Sequence, residues 1–276
     1  MLRTLLHTIL PICIASVVYG MTLARKLLRL LLFTVLGGAV LSIALVLLLR
    51  WVDPPVSALM LERQLTAKIS GQTYSAERTW KPWHTLPDHL KMAVIAAEDQ
   101  LFATHYGFDV EAIRAALNYN EQNNNIRGAS TLSQQVAKNT FLWSSRSWTR
   151  KALEAWFTAW IELLWNKERI LEVYLNSAEW GPGIFGAEAA AQYHFNTGAA
   201  YLTNQQAYVL AAVLPSPLTR SAGQPSAATQ QRAQWIARQV RQLGSSHYLN
   251  SLKPVHSEWL PPISEWLTII KAKFES

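Results

Sequence analysis

The sequence predicts a mostly α-helical protein with a single membrane-spanning helix near its N-terminus. Residues 30–49 are apolar or small without interruption, and a basic cluster precedes them. Between residues 87 and 214, apolar residues recur at three- and four-residue spacing, which is typical of amphipathic helices. The alternation typical of strands is nearly absent. These patterns predict a helical globular part that follows a membrane segment.

Composition and charge argue against several classes of protein. With 276 residues, of which 50% are hydrophobic and 16% charged, the chain is neither a disulfide-stapled miniprotein nor wholly disordered. Five of the 25 basic residues precede the first acidic residue, Asp53, which leaves 20 bases against 18 acids. A nearly neutral globular part argues against a nucleic acid partner. The single cysteine, Cys13, lies in the apolar N-terminal stretch, so no disulfide and no thiolate-bound metal is expected beyond it.

The predicted transmembrane helix covers residues 30–50. At about 1.5 Å per residue, this segment spans a hydrocarbon core about 30 Å thick. The basic segment 21–29 outweighs Arg50, so the positive-inside rule predicts a cytoplasmic N-terminus. We therefore expect a single-pass protein whose globular part lies outside the cytoplasm. A cleaved signal peptide is the alternative, but its apolar core would have about 7–15 residues, and no small-x-small site follows Leu49.

Residues 1–20 are interpreted as a dispensable leader or an extension of the true start. Residues 4–20 form a second apolar stretch, but His7 and Pro11 interrupt it. Met21, followed by the basic cluster, is the better start. A genuine second span is the alternative, and it would change the predicted orientation.

Turn and capping residues divide the globular part. Asp53-Pro54-Pro55 ends the membrane helix and begins a membrane-proximal tether, residues 51–84, for which irregular structure is expected. Asp109 is predicted to cap a helix, and Gly181-Pro182-Gly183 to form a turn. The predicted helices cover residues 90–97, 110–117, 152–165, 206–214 and 230–243.

Two adjacent carboxylates, Glu98 and Asp99, follow an apolar helix and form the first candidate site. Burial and a like-charged neighbour both raise a carboxyl pKa, which suits a general acid or base. If the helix persists, Glu98, Phe102 and His105 share one of its faces. A solvated helix end and a structural, hydrogen-bonding His105 are the alternatives.

Residues 128–139 form the second candidate. Ser130 or Thr131 is predicted to cap a helix on which Thr131, Gln135 and Lys138 share a face. A hydroxyl, an amide and an ammonium so arranged could bind a phosphate or a sugar diphosphate. An ordinary capped polar helix is the alternative, and the lysine is not placed as in a P-loop.

The third and fourth candidate sites come after the start of a region rich in basic residues. Between Glu121 and Glu154 there are five basic residues and no acidic one. Arg150 and Glu154 are four residues apart, so a stabilising helix pair is the simplest interpretation. The segment 167–176, followed by several glycines, is interpreted mainly as scaffold.

These four segments, in this order and spacing, resemble the signature motifs of the peptidoglycan glycosyltransferases, glycosyltransferase family 51. Residues 98–107 match E-D-x-x-F-x-x-H-x-G, and residues 128–139 match G-[GA]-S-T-[IL]-[ST]-Q-Q-x-x-K-N. Residues 150–154 match R-K-x-x-E, and residues 167–176 match K-x-x-I-L-x-x-Y-L-N. The resemblance covers about residues 85–218. It is closest to the monofunctional members, because too few residues follow for a penicillin-binding domain.

The resemblance implies a fold and an activity. The implied fold is a lysozyme-like α-helical glycosyltransferase domain, residues 85–245, with a small membrane-proximal jaw subdomain; the tail, residues 246–276, has no assigned role. The implied activity is polymerisation of lipid II, a disaccharide-pentapeptide on undecaprenyl diphosphate, into β-1,4-linked glycan strands with release of undecaprenyl diphosphate. Such an enzyme serves cell wall biosynthesis.

The resemblance also assigns roles to residues. Glu98 would be the general base, and Glu154 a second catalytic carboxylate beside cations that stabilise the diphosphate. The implied substrate-binding residues are Asp99, Phe102, His105, Ser130, Thr131, Gln135, Lys138, Asn139, Arg150 and Lys151. The aromatic and apolar residues expected at the bilayer interface are Phe141, Leu142, Trp143 and Trp148.

The implied partners are lipid II, the nascent glycan strand, the lipid bilayer, and other cell-wall synthesis or division proteins. No cofactor is required, no metal ligand is assigned, and a divalent cation (Mg²⁺ or Mn²⁺) near the diphosphate is left open. A lytic glycosidase of lysozyme-like fold is one alternative; the basic region argues against it because it suits a diphosphate leaving group. An inactive membrane-anchored cell-wall scaffold is the other, and intact Glu98 and Glu154 argue against it.

Overall fold

The computed structural model describes residues 2–123 and 128–252, with the side chains of residues 2–20 and 23 left out of the description. Within these ranges the chain is mostly helical, as the sequence predicts. The α-helices are α1 (Leu2–Leu48), α2 (Ala58–Ile69), α3 (Asp88–Glu98), α4 (Val110–Gln122), α5 (Leu132–Phe141), α6 (Trp148–Leu164), α7 (Lys167–Ser177), α8 (Ala187–Phe195), α9 (Asn204–Val213) and α10 (Ala227–Gln242). The 3₁₀ turns are Trp83–Thr85, Ala199–Tyr201 and Ser245–Leu252.

A small sheet is the only β-structure in the described ranges. Its strands are β1 (Glu77–Arg78), β2 (Glu179–Gly181) and β3 (Ile184–Phe185), in the order β1-β3-β2. Strand β1 is parallel to β3, and β2 is antiparallel to it. The predicted Gly181–Gly183 turn joins β2 to β3, and Gly183 has a φ of +75°, which favours glycine.

Of the described residues, those up to Leu48 form one compact unit, and those from Leu49 to Leu252 form another. In the first unit, the backbone is helical from Leu2 to Leu48, including residues 4–20, where His7 and Pro11 interrupt the apolar sequence. The segment Ala24–Leu48, with a mean hydropathy of 2.7, is long and apolar enough to cross a membrane. Thr34 donates its hydroxyl hydrogen to the Leu30 carbonyl at 2.9 Å, so this polar group is paired within the helix.

The expected irregular tether is wrong in one respect, since residues 51–84 contain helix α2. Ser57 caps this helix by accepting a hydrogen bond from the Met60 amide. Arg63 of α2 donates from Nε and Nη2 to Glu179 of β2, at 3.2 and 3.0 Å. Together with the pairing of β1 and β3, these contacts make the segment an integral part of the second unit.

Helix α3 lies at the centre of the second unit. Every residue from Leu90 to Ala96 is buried, and α9 and α10 pack against this helix. Helix α5 packs against α6 and α7. The predicted cap of α4 is confirmed, because Asp109 accepts a hydrogen bond of 2.7 Å from the Ala112 amide. The C-terminal end of α3 and helix α5 therefore rest on a rigid, buried framework.

The chain beyond α9 also contacts α3. Helix α10 and the 3₁₀ turn Ser245–Leu252 pack against it. The Tyr248 hydroxyl accepts a hydrogen bond from the Ala103 amide at 2.9 Å and donates to the Gln100 carbonyl at 3.0 Å. Residues 246–252 of the predicted tail thus belong to the folded unit, and residues 253–276 lie outside the described ranges.

Candidate active site

Glu98 is the last residue of α3. Asp99 has φ and ψ angles of −162° and 80°, so the backbone leaves the helix there. The expectation that Glu98, Phe102 and His105 share one helical face is therefore wrong. The Glu98 side chain is 13% exposed and lies between α5, α7 and α10. The structure thus holds this carboxylate at the margin of the core.

Gln135 of α5 and Tyr174 of α7 orient the Glu98 carboxylate. Gln135 donates a hydrogen bond from Nε2 to Glu98 Oε2 at 3.0 Å. The hydroxyl of the buried Tyr174 donates to Gln135 Oε1 at 3.2 Å. The structure therefore brings Gln135, a predicted site residue, into direct contact with Glu98.

Burial raises the pKa of Glu98, and the negative charge of Asp99 acts in the same direction. The hydrogen bond from Gln135 and the positive charges of Arg232 and Lys138 oppose this rise in pKa. A carboxylate whose pKa lies above the usual value of a glutamate is a better proton acceptor near neutral pH. The position of Glu98 therefore suits a general base.

Asp99 and His105 form a buried pair that joins two motifs. His105 Nδ1 accepts a hydrogen bond from the Gly107 amide at 3.1 Å, so Nε2 carries the proton and donates it to Asp99 at 2.9 Å. Asp99 Oδ2 also accepts from the Leu132 amide at 2.9 Å. These bonds fix the loop after α3 to the first turn of α5.

Three of the predicted substrate-binding residues, Asp99, Phe102 and His105, have buried side chains. The side chains of Asp99 and His105 are 3% and 8% exposed, and Phe102 is fully buried. Side chains buried in these positions shape the site and hold the surrounding backbone in place. The family resemblance implies such a role for them, with Asp99 and His105 orienting Glu98 and Phe102 shaping the cleft.

Thr131 is the N-cap of α5, as the sequence allows. Its hydroxyl accepts a hydrogen bond from the Gln134 amide at 3.2 Å and donates to the Gly107 carbonyl at 2.7 Å. The Gln134 side chain completes a capping box. Ser130 is exposed, whereas Asn139 is buried on α5. Of these predicted site residues, Ser130 is the most accessible to a ligand.

The predicted cations converge around Glu154 of α6. Arg150 donates to Glu154 Oε2, and Lys151 donates to Oε1. Glu154 is 3% exposed, whereas 44% of the Lys151 side chain is exposed. Lys138 is close enough for Glu154, Arg150 and Lys151 to act on its pKa, which burial lowers. Three cations and one carboxylate leave this cluster positively charged, which suits a diphosphate.

The donor set does not fit a metal held by the protein alone. Both oxygens of Glu154 already accept hydrogen bonds from cationic side chains. In residues 21–123 and 128–252, no group of three or more His, Cys, Asp or Glu side chains is placed to hold a metal ion. A divalent cation would need substrate oxygens as ligands.

Three contributors to the site escape sequence reasoning. Tyr174 belongs to the motif that was interpreted as scaffold, and only its contact with Gln135 reveals its role. Lys167, in the same motif, donates to the buried Glu162 at 2.8 Å and to the His105 carbonyl at 2.7 Å. Arg232 lies beyond all four motifs, and its Nη2 is 3.7 Å from Glu98 Oε1. No local sequence pattern predicts a contact between residues so far apart in the chain.

Comparison of the sequence with known proteins identifies the family of this chain. The family model described as Transglycosylase matches residues 63–241. A biosynthetic peptidoglycan transglycosylase of Ectopseudomonas mendocina is 63% identical over 246 residues, which cover 89% of this chain and 99% of the relative. Proteins with the same name in Stutzerimonas stutzeri and Pseudomonas putida are 65% and 61% identical; the matches cover 82% and 84% of this chain, and 93% and 96% of those relatives. The chain belongs to the transglycosylase family.

Proposed function

We propose that this chain polymerises lipid II into β-1,4-linked glycan strands for cell wall biosynthesis and releases undecaprenyl diphosphate. The names of its relatives support a role in peptidoglycan synthesis. The observation that carries the mechanism is the pairing of a buried carboxylate, Glu98, with a nearby cluster of cations. A base and a positively charged site are what transfer of a sugar from a diphosphate requires.

In the proposed reaction, Glu98 accepts the proton of the acceptor's 4-hydroxyl group. That oxygen forms a bond to C1 of the donor sugar while the bond between C1 and the diphosphate oxygen breaks. The diphosphate leaves with the bonding electron pair, and the configuration at C1 inverts. A diphosphate is a good leaving group, so electrostatic stabilisation serves it better than a strong acid does.

Lys138, Arg150 and Lys151 are proposed to stabilise the departing diphosphate. Glu154 holds Arg150 and Lys151 in place through both of its oxygens. The proposed steps use these cations, and none passes through a metal ion. Should a divalent cation bind with the substrate, it would add further positive charge at the diphosphate oxygens.

The remaining predicted residues divide into two groups. Asp99, Phe102, His105 and Thr131 are buried and are proposed to position α5 and the loop after α3. Ser130 and Asn139 remain proposed contributors to the donor side. Ser130 is exposed, so it is the member of this second group that is accessible to the substrate, whereas Asn139 is buried on α5.

The N-terminal helix supports a proposed location in the inner membrane, with a cytoplasmic N-terminus and a periplasmic catalytic unit. Both substrates are lipid-linked, so anchoring the enzyme in the same membrane raises their effective concentration. Trp143 and Trp148 are exposed, as interfacial residues would be, whereas Leu142 is buried and Phe141 stacks on Phe157. Interaction with other cell-wall synthesis or division proteins remains a prediction.

The full chain, purified in detergent and incubated with labelled lipid II, tests the function. A ladder of products that muramidase digests, made by the wild type and absent with Glu98→Gln, is the expected result. Glu121→Gln, which changes an exposed carboxylate of α4, is the matched control and should retain the ladder.

Two outcomes would contradict the proposal. Release of fragments from preformed glycan, without a ladder, would identify a lytic glycosidase. A folded wild-type protein that neither polymerises lipid II nor cleaves glycan would favour an inactive scaffold.

A further inference from the structure

We propose that Arg232, on α10, is a positioning residue that holds the Glu98 carboxylate in its ionised, proton-accepting form. Helix α10 would then be part of the catalytic apparatus. This inference rests on the proposed function, since it takes Glu98 as the general base. Arg232 lies outside the four motifs that relate the chain to its family.

The guanidinium of Arg232 faces Glu98. Its Nη2 atom is 3.7 Å from Glu98 Oε1 and donates a hydrogen bond of 3.2 Å to the carbonyl of Ala97. Its Nε atom is buried and makes no hydrogen bond with any described residue. The Arg232 side chain is 33% exposed and that of Glu98 13%, so water screens the interaction between the two charges less than it would in bulk solution. The positive charge of Arg232 therefore lies close enough to stabilise the negative charge of the Glu98 carboxylate.

The spacing leaves one carboxylate oxygen free to react. Glu98 Oε2 accepts the hydrogen bond from Gln135, whereas 3.7 Å is too long for a direct hydrogen bond between Arg232 and Oε1. Arg232 can thus favour the charged form of Glu98 electrostatically without occupying the lone pairs of Oε1. That oxygen remains able to accept a proton from a sugar hydroxyl.

Other contacts fix the position of Arg232. Ala233, Ile236 and Val240 are the apolar residues that α10 buries. Gln239, about two helical turns beyond Arg232, accepts a hydrogen bond of 3.2 Å from the Gln100 side chain. These contacts hold helix α10 along the two turns that follow Arg232, which restrains the guanidinium.

Several charged groups act on Glu98, and Arg232 must be distinguished from them. Asp99 follows Glu98 in sequence and disfavours its ionisation, whereas Lys138 of α5 favours it. Gln135 of α5 and Tyr174 of α7 are the neutral hydrogen-bonding groups of this environment. Arg232 is the charged group with which α10 acts on Glu98. Arg220 is a second cation that acts on Arg232, whose own pKa burial lowers.

The test is the pH profile of lipid II polymerisation by the full chain in detergent. Removing the charge with Arg232→Gln should raise the pKa of Glu98 further and move the acid limb of kcat to higher pH. Below the midpoint, kcat should fall about tenfold for each unit of this movement and recover at alkaline pH. Arg232→Lys should restore most of the profile. Arg238→Gln, an equal charge change at an exposed site of α10, should leave it unchanged.

A measurement without substrate gives a second readout. The thermal midpoint of unfolding at neutral pH is compared for wild type, Arg232→Gln, Glu98→Gln and the double variant. If Arg232 acts on the charge of Glu98, Arg232→Gln should cost more stability when Glu98 is present than in the Glu98→Gln background. The conservative Arg232→Lys variant covers the case in which Arg232→Gln fails to fold.

Three results would overturn the inference. A loss of kcat that is equal at every pH would show a purely structural role, and a rise in KM at unchanged kcat would show direct substrate binding. Additive effects in the stability cycle would show that the two residues are not coupled. These results differ from failure of the proposed function, in which the wild type itself makes no polymer and both ideas are refuted.

Discussion

Tyr174 fixes the side-chain amide of Gln135, because its hydroxyl donates to Oε1 at 3.2 Å and thereby turns Nε2 toward Glu98. A free amide could rotate and present its oxygen to the carboxylate, which would repel it. Only one orientation satisfies both neighbours. A buried phenol on α7 thus controls the hydrogen bonding of the proposed base without touching it.

Tyr174→Phe should therefore lower activity with little effect on folding. Loss of one hydrogen bond, worth about 1 kcal/mol, corresponds to roughly a fivefold fall in kcat, with KM unchanged because Tyr174 is buried. Initial rates of lipid II polymerisation measure the effect. Tyr201→Phe, at an exposed tyrosine, is the control. Wild-type kcat in the Tyr174 variant would show that the amide needs no such support.

Glu98→Gln should stabilise the folded protein at neutral pH. Because burial raises the pKa of Glu98 in the folded state, the wild type loses stability as the pH rises from the ordinary value of 4.5 through the folded pKa. The amide variant avoids this cost, and an increase of about 1 kcal/mol, or roughly 2–4 °C in Tm, is expected at pH 7. Thermal scans at pH 7 and pH 4 measure it. The difference should vanish at pH 4, and a lower Tm for the variant at pH 7 would refute the argument.

Glu154→Gln should make the enzyme less active at alkaline pH. Burial lowers the pKa of Lys138, and repulsion by Arg150 and Lys151 lowers it further, whereas the charge of Glu154 raises it. Without Glu154, Lys138 should lose its proton at lower pH, so the alkaline limb of the pH profile of kcat/KM should shift to lower pH. Rates between pH 7 and pH 10 measure this movement. Glu111→Gln, at an exposed carboxylate of α4, should leave the limb in place.

Gly107→Ala should destabilise the protein. Gly107 has a φ of +81°, and an added Cβ would lie 2.7 Å from Thr158 Cγ2 and 2.9 Å from Glu162 Cγ. The strained backbone and the overlap together should cost about 2–4 kcal/mol of unfolding free energy. Chemical denaturation measures the loss. Gly128→Ala is the control, since nothing lies within 4 Å of its added Cβ; equal losses in the two variants would contradict the steric explanation.

The helical fold was predictable because the core helices have a strong local pattern. Helix α3, for example, buries seven consecutive residues, and its apolar run is visible in the sequence. Its predicted end, at residue 97, is one residue from the observed end, but the path of the chain after it was not predictable, because Asp99 accepts a hydrogen bond from the Leu132 amide, 33 residues away. Helix α2 was missed because it buries only Leu59, Met60 and Ala67, which leaves no continuous apolar face in the sequence, and because it packs against the distant helix α5.

The chemistry of the candidate site was easier to predict than its geometry. The types and spacing of Glu98, Gln135 and Arg150 suggested a base and an anion site, and the structure places all three at one end of the buried framework. Burial depends on the whole fold, so the sequence alone could not separate inward-facing His105 from exposed Ser130. The same reason explains why Arg232 went unnoticed.

The packing of α10 and the following turn on α3 also determines when the site can form. Ala97 and Arg232 are 135 residues apart in sequence, and Gln100 and Tyr248 are 148 apart. Contacts that close such long loops form only after the intervening chain has been made, and they form slowly. During synthesis, the ribosome delivers α3 long before α10. A nascent chain that already contains Glu98 therefore lacks the contacts that α10 makes around it. The proposed consumption of lipid II has to wait until translation of the domain is almost finished.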